Sequence, residues 1–147
     1  MTMNARVHWV ADTLMLGESG SGHVVAMDGP PDYGGRNLAP RPMELLLLGL
    51  GGCTQFDVLL ILRRARQDVT ACTVEIAAER AAADPKVFTR IHVHFILSGR
   101  DLSAHQVERA IRLSAEKYCS ASIMLGATAA ITHDYEIRDR AAVESDR

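Results

Sequence analysis

The sequence is poor in cysteine, in aromatics and in net charge, and each shortage closes off a class of protein. Three cysteines in 147 residues are too few, and odd in number, for a disulfide-stapled secreted scaffold. A reducing, cytoplasmic setting is expected instead, where cysteines that matter do so through their chemistry. A formal net charge of −2 supplies no broad basic field, so no nucleic acid is expected as a partner. The leucine-rich run from Leu45 to Leu50 is six residues, far short of a membrane span, and MTMNARVHWV lacks the apolar stretch of a signal peptide. Aromatics at 5% leave the core to Leu, Ile, Val, Ala and Met. A small core of that kind is often completed by a partner chain. Hydrophobic residues at 48% and charged residues at 23% are globular values, and the length suits one domain over residues 1–147.

What is present alternates between extended and helical patterns. Val7 and Trp9 alternate with Arg6 and His8, Leu14 to Leu16 come after a short break, and Val24 to Met27 resume after the Gly/Ser cluster Gly17 to Gly22. This predicts strands over about 5–28. Four of the five prolines fall in residues 29–42, so 29–41 reads as a long loop, of the kind that is functional or mobile. A helix is expected next, over about 42–67, with Pro42 and Glu44 at its start and Arg63, Arg64 and Arg66 at its end. It is apolar almost all round, which predicts burial. Its interior glycines, Gly49, Gly51 and Gly52, cost roughly 2–3 kcal/mol relative to alanine. That cost predicts a close approach by another element, or a kink.

Two alternating strands are expected over about 73–97, turning at Asp84-Pro85-Lys86. Val74, Ile76 and Ala78 oppose Thr73, Glu75 and Glu79; Ile91, Val93, Phe95 and Leu97 oppose Arg90, His92 and His94. The opposite charges on the two polar faces favour antiparallel pairing. Ser103 and Gln106 form a capping box that opens a helix over about 103–118, with Val107, Ile111, Ser114/Ala115 and Tyr118 on one stripe. A short helical turn at 120–127, a final strand over about 129–138 and a frayed tail, AAVESDR, complete the chain. The order predicts an α+β fold with helices segregated onto an antiparallel sheet.

Two readings fit Cys53 and Cys119, which stand 66 positions apart. Each is a small buried hydrophobe, or each is a reactive thiol, which needs positive charge or oriented N–H groups nearby. A kink at Gly51-Gly52 would restart the helix at Cys53 and aim free N–H groups at its sulfur. The loop upstream carries Arg36 and Arg41, either of which is a candidate cation or simply a solvated charge.

Pro42-Met43-Glu44-Leu45-Leu46, then Gly51-Gly52-Cys53-Thr54 and Asp57, resembles the first signature of the OsmC/Ohr family of thiol peroxidases. Glu116-Lys117-Tyr118-Cys119-Ser120 resembles the second, and the element order matches along nearly the whole chain. Gly17-Glu18-Ser19 and Gly99-Arg100-Asp101-Leu102 look most like the subgroup that includes the YhfA-type proteins. The resemblance implies an OsmC-like fold: an intertwined homodimer, with sheets wrapped around long central helices and active sites at the subunit interface. It implies that Cys53 is the peroxidatic and Cys119 the resolving cysteine. The substrate would be an organic hydroperoxide and the reductant a small dithiol such as protein-bound lipoyl, in oxidative or osmotic stress defence. No metal or organic cofactor is implied, because the thiol carries the redox change. Apolar neighbours such as Leu50 and Phe56 would favour alkyl hydroperoxides.

One departure stands out. The well-studied peroxidases pair a catalytic arginine with a glutamate at the position of Met43, ten before Cys53; here Glu44 stands nine before. One residue is about 100° around a helix. Glu44 with Arg36 is the expected activating pair, and Arg41 the reserve.

Other residues read more plainly. Cys72, at the start of a strand, reads as packing. His92 and His94 share a strand face but lack a third metal ligand, so they read as polar-face residues. Asp57 lies one helical turn after Cys53 and either serves the sulfur or holds structure. The arginines at 63, 64 and 66, and Glu116-Lys117, read as solvated helix surface. Against the peroxidase stand non-enzymatic alternatives: a dimeric redox sensor or small hydrophobic-ligand binder, or a silent structural dimer if the cysteines lie far apart.

Overall fold

The computed structural model describes residues 1–139. The expected fraying of residues 141–147 lies outside the described residues. Nine main elements occur in chain order among the described residues: β1 (Ala5–Ala11), β2 (Leu14–Ser19), β3 (Val24–Met27), α1 (Pro42–Arg64), β4 (Asp68–Arg80), β5 (Phe88–Arg100), α2 (Ala104–Leu113) and, after a π-helical turn at Ser114–Tyr118, α3 (Ser120–Leu125), which leads into β6 (Ala130–Asp139). The chain packs as two compact units that divide within α1, between Leu48 and Gly49.

The first unit is an antiparallel meander in the order β1-β2-β3. Gly17 to Ser19 belong to β2, and the turn narrows to the residues before His23, whose carbonyl accepts from Ser19 N at 2.8 Å. Both faces of β1 are exposed, including Val7 and Trp9. The loop after β3 is held from inside. Buried Asp28 accepts from Thr13 Oγ1 at 2.5 Å and from the backbone N–H groups of Gly29, Arg36 and Leu38. These donors push the Asp28 carboxyl down to about 2, the Thr13 hydroxyl contributing most. Gly35 is obligatory, since a Cβ there would fall onto the Gly29 carbonyl.

In the second unit β5 is the central strand of the order β4-β5-β6. It buries Ile91, Val93, Phe95 and Leu97 and turns Arg90, His92 and His94 the other way, as its alternation predicts. Glu75 stands opposite His94 and Glu79 opposite Arg90 in the antiparallel β4–β5 ladder. The antiparallel expectation fails at β6, which runs parallel to β5. The helical segment from α2 to α3 intervenes, and a crossover of that length is what a parallel pair needs.

The helix α1 runs unbroken from Pro42 to Arg64, so the kink at Gly51-Gly52 is absent. Close approach explains Gly51: a Cβ there would lie 3.0 Å from Ile76 Cδ1 of β4. Among the described residues, nothing beyond the helix's own adjacent backbone lies within 4 Å of a Cβ at Gly49 or Gly52. The expectation of all-round burial is also corrected. Only the stripe Leu50, Thr54, Val58 and Leu62 is buried, while Leu46, Leu48 and Phe56 are exposed. By length and composition α1 is also apolar enough to cross a membrane, although its longest leucine run is short.

Candidate active site

The buried stripe of α1 repeats every four residues, and Cys53 and Asp57 each precede a stripe member by one. They therefore sit about 100° off the buried line, half-buried, one turn apart on one face.

The second half of the site comes from the end of α2. Ser103 Oγ accepts from Gln106 N at 3.3 Å as the cap requires, but Ser103 N donates to Gln67 Oε1, not to Gln106, so the box is half-formed. Val107 and Ile111 are buried as expected. The helix then widens into a π turn, closed by Cys119 N donating to Ser114 O at 2.8 Å. The extra residue in that turn rotates the next positions about the helix axis. Tyr118, expected on the inner stripe, is 50% exposed, and Cys119 is fully buried in its place. Cys119 is extended and caps α3, its Sγ accepting from Ser122 N at 3.4 Å. The helix-start N–H expected at Cys53 is thus found at Cys119.

These elements bring Cys53 Sγ, Cys119 Sγ and an Asp57 carboxylate oxygen within 4.8 Å of one another. All three cysteines are free thiols. Ser114 ties the cluster together. Its hydroxyl donates to Asp57 Oδ2 at 3.1 Å and lies 2.8 Å from Thr54 Oγ1. With the Ser114 proton given to Asp57, the Thr54 hydroxyl donates to Ser114. Burial pushes the Cys119 thiol up, hydrogen bonding from Ser122, side chain first and then backbone N–H, opposes that, and Cys53 adds to it. Cys119 is therefore a protonated thiol at neutral pH. A cleft of about 360 Å³ opens beside Asp57, lined also by Leu60, Ile61, Leu113 and Tyr118 and by the arginines Arg64 and Arg109.

The other expected site residues lie in the first unit. Arg36 is exposed in the loop, its backbone fixed by Asp28. Glu44 is exposed in the first turn of α1, where its Oε1 accepts from Arg41 N at 2.9 Å. Its visible work is helix capping. Ser114 and Asp28 were not singled out by sequence. Ser114 looked like one more member of an apolar stripe. Asp28 carried a local signal, since an acid ahead of Gly29-Pro30-Pro31 is a turn former.

Cys72 lies within β4, which starts earlier than expected, at Asp68. Burial raises its thiol, and its carbonyl accepts from Gln55 Nε2. His92 and His94 do meet an acid, Asp134 of β6, at 2.8 and 2.7 Å, but both bond the same oxygen on an exposed sheet face. Hydrogen bonding to Asp134 raises His94 and lowers Asp134.

Residues 34–134 match the family model for OsmC-like proteins. Protein YhfA of Escherichia coli K12 is 49% identical over 135 residues, covering 92% of this chain and 98% of that protein. A solved structural-genomics chain superposes with a TM-score of 0.85 at 47% identity, covering 93% of this chain and 99% of its own. An organic hydroperoxide resistance protein OsmC from Legionella pneumophila shares the fold, with a TM-score of 0.70 at 17% identity over 92% of this chain and 97% of its own. The family match contains all of α1, so the apolar helix is an element of a soluble α+β fold of this type.

Proposed function

The chain belongs to the OsmC-like protein family, and on that premise we propose that it reduces organic hydroperoxides, with Cys53 peroxidatic and Cys119 resolving. The observation that carries the reading is the approach of the two sulfurs to within 4.8 Å from positions 66 residues apart. A disulfide needs about 2.05 Å, so a small movement of the Cys119 turn closes the bond.

Exposure divides the roles. Cys53 is half-buried and reachable; Cys119 is sealed and protonated. The Cys53 thiolate attacks the distal oxygen of the hydroperoxide. The O–O bond breaks, Cys53 becomes a sulfenic acid, and the alkoxide takes a proton and leaves as an alcohol. Cys119 then attacks the sulfenic sulfur; the S–S bond forms, and its thiol proton leaves with the hydroxyl as water. A dithiol reduces the disulfide by exchange and is itself oxidised to its cyclic disulfide. Leu60, Ile61 and Leu113 along the cleft suit an alkyl chain. The Legionella relative's description as an organic hydroperoxide resistance protein accords with this substrate class.

Arg36 and Glu44 are proposed as the pair that activates Cys53, in a cytoplasmic protein of one OsmC-like domain. We read the working form as a homodimer. Leu46, Leu48, Phe56 and Trp9 are 48%, 63%, 70% and 76% exposed in one chain, and the open glycines 49 and 52 permit close approach of another helix. Light scattering coupled to gel filtration tests the dimer.

The activity is tested by following cumene hydroperoxide consumption with a dihydrolipoyl protein as reductant. Sustained turnover that is lost in Cys53→Ser supports the peroxidase. One equivalent consumed without turnover by any dithiol identifies a redox sensor, and no consumption removes both readings. Loss of rate in Arg36→Ala or Glu44→Gln, with the fold intact, supports the activating pair.

A further inference from the structure

We propose that the reduced Cys53–Asp57–Cys119 cluster is a binding site for a thiophilic divalent cation of the zinc class, which competes with hydroperoxide for the same sulfurs. Coordination stands independently of the peroxidase reading; only its inhibitory consequence rests on it.

The donor set is the first argument. Two thiols and a carboxylate are ligands that zinc accepts, and the three donor atoms already lie within 4.8 Å of one another. Around one tetrahedral zinc, with bonds of about 2.0–2.3 Å, ligand atoms sit roughly 3.3–3.8 Å apart. The cluster needs a contraction of about an ångström. Cys53 and Asp57 supply two ligands at i and i+4 of one helix face, a spacing that zinc-binding helices use. Cys119 closes the set from the turn at the start of α3.

The surroundings are the second argument. Ser114 Oγ holds one Asp57 oxygen at 3.1 Å and leaves the other for a metal, as the outer partners of metal-bound carboxylates do. Ser122 Oγ, on the residue whose N–H holds Cys119 Sγ, is buried beside that sulfur and has no well-formed hydrogen bond among the described residues; a water on the cation would serve it. Among the described residues Asp57 has no salt-bridge partner, so three acidic groups crowd together with no bound side-chain cation. On binding, two metal–sulfur bonds form and the two thiol protons pass to solvent, with no change in oxidation state. His92 and His94 make no comparable set, because their ring nitrogens converge on one exposed oxygen.

The test uses the reduced full chain under anaerobic conditions with cobalt(II) as the probe. The expected result is a sulfur-to-cobalt charge-transfer band in the near ultraviolet that saturates at one cobalt per chain and bleaches on adding zinc. Cys53→Ser and Cys119→Ser should each lose about half of the band. Asp57→Asn should keep the band and weaken binding by about 10–100-fold, with Ser114→Ala weakening it by about tenfold. Circular dichroism establishes that each variant folds, and His92→Ala/His94→Ala should bind like the parent. The proposal is overturned if no thiolate band appears at about a tenfold excess of cobalt, or if Asp57→Asn binds unchanged. No peroxide is present, so binding without hydroperoxide turnover removes the peroxidase reading alone, and turnover without binding removes only this one.

Discussion

Two clusters of titratable side chains face opposite fates in this molecule. On the outer face of the second sheet, His92, His94, Asp134 and Glu136 lie side by side along β5 and β6, exposed and paired by hydrogen bonds. At the junction of α1 with the π turn and α3, Cys53, Asp57, Ser114 and Cys119 converge from three elements, with Ser114 and Cys119 buried. The first has more charge and shorter contacts, yet solvent levels its energetics. The second has longer separations, but burial makes each neighbour count. Convergence of reactive groups out of water, rather than their number, is what distinguishes a chemical site from a solvated ladder.

The comparison breaks first at Cys53. Cys53→Ser should reduce hydroperoxide consumption by ~10³-fold or more, measured as peroxide loss under excess dithiol, because the variant lacks the thiolate nucleophile. If consumption persists near the parent rate, the buried cluster is not the reacting centre.

Ser114→Ala should have the next largest effect. It leaves the buried Thr54 hydroxyl without its acceptor and frees Asp57, at a cost of about 1–3 kcal/mol in urea unfolding. The rate of disulfide formation should fall with it, since the hydrogen bonds that hold the π turn against α1 are lost. A stability within error of the parent would show that the hydroxyl chain does not bind the site together.

Asp28→Asn should act on the loop. Its carboxyl is about 2 in the folded chain and near 3.8 when free, so its contribution is present above pH 4 and is lost as pH falls towards 2. Limited proteolysis at neutral pH should cut residues 29–41 roughly tenfold faster in the variant, and the acid limb of the unfolding curve should flatten.

Asp134→Asn should matter least. His94 is raised above 6.5 by Asp134, so this pair stabilises most below pH 6.5 and loses its effect as pH rises through the raised value. Asp134 is lowered in turn, and its share fades as pH falls through that lowered value. An NMR titration of the His94 ring should show its midpoint drop in the variant. Hydroperoxide consumption should change by less than about twofold, as expected for a solvated pair. A larger loss would mean the exposed ladder serves the reaction.

Most of the fold was legible because it is written in local periodicity. The alternation of Ile91, Val93, Phe95 and Leu97, the cap at Ser103 and the Pro42 start of α1 each announce their element. Direction and register across distance are not written that way. The parallel pairing of β6 depends on the crossover, and the π turn at Ser114 shifts the inner stripe by one residue, from Tyr118 to Cys119. The extent of α1's burial is not written locally either, because apolarity says what a helix can cover, not which of its faces meets a neighbour. Of the site, the two cysteines were visible through their motifs, while the Asp57–Ser114–Thr54 chain exists only once residues some 60 positions apart meet.

Peptide mapping by mass spectrometry, after one equivalent of cumene hydroperoxide is added to the reduced protein, addresses the pairing of the sulfurs most directly. The expected product is a single Cys53–Cys119 disulfide, with Cys72 still a free thiol and, in Cys119→Ser, an oxidised Cys53 in place of the bond. Unchanged thiols, or a disulfide through Cys72, would contradict it.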